Sequence, residues 1–144
     1  MVTITKIAET LGGRSVLKER LADYSAVIHR ARAGLPYAAL EAVGKRYAVP
    51  VARLAQILGI PARTLARRKK ERRLSAEESD RLVRMARVTA VADDVLETSE
   101  IAATWLQTPN GALGGVAPLD LLGTDLGAEQ VETILIRIDY GVYS

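Results

Sequence analysis

From Tyr24 onward the apolar residues return every three or four positions, and a proline or glycine cuts each run before it grows long. That period belongs to helices, and the interruptions keep the helices short. Tyr24, Val27, Ile28 and Ala31 form the first stripe, ending near Gly34. Pro36 stands where a first helical turn tolerates a missing N–H, and Leu40, Val43 and Tyr47 carry a second stripe to Val49-Pro50. Val51, Leu54, Ala55 and Leu58 predict a third helix closed by Gly59, and Pro61 opens a fourth. Ser75 and Glu78 have the spacing of a capping box ahead of a longer helix marked by Leu82, Met85, Ala86, Val88, Val91, Ala92 and Val95. Ile101, Ala102 and Trp105 suggest a short helix before the turn-rich Thr108–Gly115, which is not expected to be helical. Pro118 to Leu122 allows a turn or two, and Val131, Ile134, Leu135 and Ile138 predict a last helix capped by Gly141. The fold class is therefore mainly all-α, and a hydrophobic content of 49% suffices for a real core.

The most specific local pattern is VARLAQILGIPARTLARR, Val51 to Arg68, in which Ala55, Gly59 and Leu65 have the spacing of a helix-turn-helix. A small residue is needed where the helices cross, a glycine makes the turn without steric cost, and a leucine returns an apolar contact to the pair. Arg63, Thr64, Arg67 and Arg68 would then face the major groove, where arginine forks onto guanine and threonine touches a thymine methyl. Lys69, Lys70, Arg72 and Arg73 are placed to meet phosphates. Arg68 stands where such motifs commonly put an apolar residue, so its stem can pack instead. The same residues also describe a solvated basic surface helix, but so dense a cluster repels itself without a polyanionic partner.

Charge is segregated along the chain. Residues 1–88 carry 19 Lys/Arg against 8 Asp/Glu, and residues 89–144 carry 1 against 9, which is +11 followed by −8. The two halves are expected to meet different partners. There is no cysteine and a single histidine, His29, so disulfides, thiolate zinc sites and the usual triads lack their parts. No metal, cofactor or catalytic residue is expected. No secretory leader is evident at the Met1 end, and no apolar run approaches the roughly 20 residues of a membrane span, so a cytoplasmic location is expected.

Arg63-Thr64-Leu65 with Arg67-Arg68-Lys69, then Leu74, Glu77-Glu78-Ser79 and Arg84-Met85-Ala86-Arg87-Val88, resembles the Xre-type antitoxins. Downstream, Trp105-Leu106, Thr108-Pro109-Asn110, Ala112-Leu113-Gly114-Gly115, Pro118-Leu119-Asp120-Leu121-Leu122 and the terminal Gly141-Val142-Tyr143-Ser144 resemble the toxin-binding domain of the Xre/MbcA/ParS antitoxins. The resemblance spans about residues 25–144 and divides the chain into an N-terminal extension (1–22), an Xre-like helix-turn-helix domain (23–88) and a toxin-binding domain (89–144). It implies an antitoxin that neutralises a RES-domain toxin, an enzyme that consumes NAD+ or transfers ADP-ribose from it. It further implies self-association as a homodimer or higher complex, and binding of operator DNA. An alternative is a plain repressor whose acidic domain dimerises or senses a ligand.

Carried onto this sequence, the resemblance makes Tyr140, Gly141, Val142, Tyr143 and Ser144 the residues that block the toxin's cleft, supported by Arg137. Physical chemistry allows it: two rings and an α-carboxylate beyond a glycine can enter a cleft that binds a dinucleotide. The bland reading folds both tyrosines back on the acidic domain. Trp105 reads as a core anchor and His29 as a surface side chain. Asp93-Asp94 point to different faces of one helix and read as solvated. Gly114-Gly115 lacks the pattern of a phosphate loop.

Overall fold

The computed structural model describes residues 2–141. Among them the chain forms nine α-helices: α1 (Ile4–Thr10), α2 (Gly13–Leu17), α3 (Tyr24–Ala33), α4 (Tyr37–Tyr47), α5 (Val51–Ile57), α6 (Ala62–Glu71), α7 (Ala76–Leu96), α8 (Ser99–Gln107) and α9 (Asp125–Asp139). Two 3₁₀ turns, Gly111–Leu113 and Pro118–Leu121, join α8 to α9. The only extended pairings among the described residues are two isolated bridges, Pro36 with Arg73 and Asn110 with Val116. The architecture is all-α.

Local chemistry explains the helix starts. Asp23, Thr98 and Thr124 each accept a hydrogen bond from a backbone N–H in the first turn that would otherwise lack a partner. The Ser75–Glu78 capping box is complete: the Ser75 hydroxyl accepts from Glu78 N and the Glu78 carboxylate accepts from Ser75 N. Pro36, Pro50 and Pro61 occupy the position just before a helix, where their fixed φ directs the chain into it. The last helix begins at Asp125, ahead of its first predicted apolar residue Val131, because the Thr124 cap and not the stripe sets its start.

The long helix α7 is the axis of the molecule. It packs against α1 and α3 on the N-terminal side and against α8 and α9 on the C-terminal side. One continuous core results, running from Ile7 and Leu11 through Leu40, Val43 and Leu54 to Leu82, Met85, Leu106, Val131 and Leu135. Trp105 is half-buried against it, and His29 is exposed.

Ile7 on α1, Leu17 on α2, and Leu11 and Leu21 in the segments that follow those helices are all buried in the common core. Two expectations change. Within the first stripe only Val27 and Ala31 are buried, whereas Tyr24 and Ile28 are 67% and 51% exposed. Asp93 is not solvated. It lies in the core side of α7, where its Oδ2 accepts from the Tyr47 hydroxyl at 2.8 Å and from Arg46 Nε at 2.9 Å. Burial, reinforced by the neighbouring Asp93 charge, pushes the Tyr47 phenol up to about 12. This polar contact ties α4 to α7, and Gln107 of α8 adds a hydrogen bond to the Tyr47 carbonyl at 2.8 Å.

Candidate functional site

The α5–α6 pair is a helix-turn-helix built as its sequence requires. Leu54, Ala55 and Leu58 are buried where the two helices meet, and Leu65 packs partly against the core. Gly59 takes φ +72°, a left-handed conformation that only glycine adopts cheaply, and so turns the chain between the helices. No residue of α6 is fully buried, so the helix stands proud of the body. Arg63, Arg67 and Lys70 recur at i, i+4 and i+7 and therefore share one exposed face, while Lys69 is exposed on another side of the helix and Arg72 and Arg73 follow. Such a ridge has the width of a major groove and the charge to approach phosphates.

Thr64 is half-buried, and Arg68 is turned away from that ridge. Arg68 Nε donates to Glu78 at 2.7 Å and its Nη1 to Glu71 at 3.2 Å, so the guanidinium fastens α6 to the start of α7. The Glu78 hydrogen bond raises the pKa of Arg68. Burial works against an ionised Glu78, but the hydrogen bonds from Arg68 and Ser75 outweigh it and hold its carboxyl below the usual range. Glu78 was legible as a cap but not as the anchor of Arg68, because that contact joins two helices.

Further contacts bind the helix-turn-helix to the acidic half. Arg53 of α5 pairs with Asp120 of the Pro118–Leu121 turn. Arg84 donates to the Gly123 carbonyl at 3.0 Å, and within the basic half Arg81 donates to the Leu58 carbonyl at 3.0 Å, holding α7 to the end of α5. A Cβ at Gly123 would stand 2.0 Å from the Ile57 carbonyl oxygen, so this close approach of two backbones requires glycine.

The C-terminal helix α9 presents two separate faces. Leu126, Glu129, Gln130, Thr133, Ile134 and Arg137 face the Gly111–Leu113 turn across a groove of about 570 Å³. Glu132, Ile136, Asp139 and Tyr140 face α1, α3 and α7 across a second groove of about 520 Å³. The residues grouped by the sequence are thereby divided, Arg137 lying on the first face and Tyr140 on the second. Gly141, at φ +74°, leaves the helical path. Val142, Tyr143 and Ser144 lie outside the described residues.

A model of the antitoxin Xre-like helix-turn-helix domain matches residues 26–87, and the antitoxin Xre/MbcA/ParS C-terminal toxin-binding domain matches residues 91–141. The chain belongs to the Xre/MbcA/ParS antitoxin family. Among its relatives, the antitoxin Xre of Yersinia enterocolitica is 38% identical over 98 residues, which cover 67% of this chain and 66% of that protein. The antitoxin Xre of Pseudomonas putida is 40% identical over 83 residues, 57% of this chain and 52% of that one. A Prs ADP-ribosylating antitoxin of Sphingobium sp. is 35% identical over 80 residues, 49% of this chain and 50% of that one. The chain thus spans between half and two thirds of the length of these relatives. In this Xre/MbcA/ParS member the two matched blocks meet within α7, and no described helix is long and apolar enough to cross a membrane.

Proposed function

We propose that the chain is an antitoxin that neutralises a RES-domain toxin by placing its C-terminal segment in the toxin's active-site cleft, and that it binds operator DNA through α6 as a homodimer. The observation that carries the first part is the end of α9. Tyr140 is 78% exposed, Gly141 carries the chain off the helix axis, and the exposed Arg137 lines the groove on the face beside it. An exposed ring and a cation suit a cleft that binds a dinucleotide. The name of the Sphingobium relative couples an antitoxin with ADP-ribosylation, a chemistry that consumes NAD+. It supports the choice of an NAD+-handling target.

The second part rests on the exposed ridge of Arg63, Arg67 and Lys70, with the exposed Lys69 nearby, and on the two-fold logic of helix-turn-helix proteins, which read paired half-sites about one helical turn apart. Both activities belong in the cytoplasm. The deciding experiment measures NAD+ consumption by the cognate RES-domain protein in the presence of the full-length chain and of a version ending at Tyr140. Inhibition by the full chain alone, with binding by both, is expected. Equal inhibition would move the blocking site onto the body of the C-terminal domain. No inhibition by either would leave a plain repressor.

A further inference from the structure

The groove beneath Tyr140 is larger than its share of α9. It continues past Ile7 and Tyr24 into a second depression reaching Ile28, Val83 and Asp80, so that its floor is α1 and α7 and its walls are α3 and α9. Tyr24, Ile28, Ile136 and Tyr140, four of the largest exposed apolar side chains, stand along it. A contiguous apolar patch of this kind marks an interaction surface. Its charges are biased. Arg87 is paired with Glu132 at 2.8 Å and Arg84 bonds the Gly123 carbonyl, whereas Asp80, Asp125 and Asp139 add three carboxylates to the lining. An occupant should therefore be apolar and cationic, which excludes nucleic acid.

The outward ridge of α3 has that chemistry, because Tyr24, Ile28 and Arg32 follow one another at intervals of four and all three are exposed. We propose that the groove is the self-association surface, where the α3 ridge of one copy seats between α7 and α9 of a second and the second copy reciprocates. An isologous pair of this form sets the basic half of each copy beside the acidic half of the other, an arrangement favoured by the +11 and −8 charges. No residue of α6 lines the groove, so the operator-reading ridge stays free. The face of α9 bearing Arg137 is separate from it and remains available to a toxin, whereas Tyr140 lines the groove, so dimer and toxin compete for that side chain. The proposal rests on the reading of the chain as a dimer.

The test is the mass of the full chain by sedimentation and light scattering, alongside three variants. Dimers are expected for the native chain and for Leu126→Glu, which alters the other face of α9. Tyr24→Ser with Ile28→Glu should give a monomer, and Arg32→Glu should weaken dimerisation about tenfold because each contact occurs twice. The absence of cysteine permits an independent check that survives a poorly folded variant. An oxidised one-to-one mixture of Ile28→Cys and Ile136→Cys copies should yield a disulfide-linked pair, and Leu126→Cys in place of Ile136→Cys should not. A monomeric native chain would overturn both the dimer and its surface. A native dimer that persists in the groove variant and gives no cross-link would overturn the surface alone. A groove variant that stays dimeric but no longer inhibits the toxin would give the groove to the toxin.

Discussion

Glu78 joins three pieces of structure through one carboxylate. It caps its own helix by accepting from Ser75 N at 2.8 Å, it receives Arg68 Nε at 2.7 Å, and it is 7% exposed. Because its folded pKa lies below the unfolded value, the stability it contributes is fully present above the ordinary glutamate range. That contribution is lost as pH falls through the depressed folded value. We expect Glu78→Gln to cost about 1–3 kcal/mol at neutral pH, since it leaves the half-buried Arg68 with only the exposed Glu71 as counter-charge. The gap in Tm between native and variant should close progressively below about pH 4.5. A gap that stays constant from pH 7 to 3 would show that the charge of Glu78 is not what holds α6. Asp93 makes a comparable junction deeper in the protein, where Tyr47 and Arg46 of α4 converge on one oxygen.

At the scale of the element, α6 separates two kinds of arginine that look alike in sequence. Arg63 and Arg67 lie on the exposed ridge, while Arg68 is held by Glu78 and Glu71. Replacing Lys69 and Lys70 by alanine should flatten the salt dependence of operator binding by up to about 2 in the slope of log K against log salt, with little change in Tm. Arg68→Ala should do the reverse, lowering Tm while leaving the slope nearly unchanged. Equal slopes for all three proteins, measured by titration across salt concentrations, would remove the phosphate role of the lysines. The helices themselves were legible, because caps, prolines and apolar period act over a few residues: Ser75 with Glu78, Gly59 and Gly34 all mark the ends they were expected to mark. The contacts of Arg68 with Glu78 and of Asp93 with Tyr47 and Arg46 were not legible, since those partners lie 10 and 46 or 47 residues away; only the Arg68–Glu71 pair is local. The division of Arg137 from Tyr140 was hidden for a related reason: three positions apart on a helix they are neighbours, and only the packing of α9 on two different grooves parts them. The helices α1 and α2 hold seven and five residues, too few to display a full stripe.

At the scale of the molecule, the charge boundary after residue 88 and the meeting of the two family blocks both fall inside α7, whose buried residues include Met85, Ala86, Val88, Thr89, Ala90, Ala92 and Asp93. A DNA-binding unit (23–88) and a toxin-binding unit (89–144) are therefore proposed as functional divisions that share one core and not as separate bodies. The helix spans them, α5 is fastened to the 3₁₀ turn by Arg53 and Asp120, and Gly123 lies against the backbone of Ile57. Shared burial makes unfolding of one half expose the other, so the two should melt together. Calorimetry should show a single transition whose van't Hoff and calorimetric enthalpies agree. A chain ending at Val88 loses the α8 and α9 surfaces against which α7 packs and should fail to give a cooperative melt. Two resolved transitions, or a cooperative melt of the shortened chain, would mean that the halves fold independently and that α7 is only a linker. A single transition has a functional corollary: a partner that binds α9 stabilises the same cooperative unit that positions α6, so toxin and operator would each report on the other through its stability.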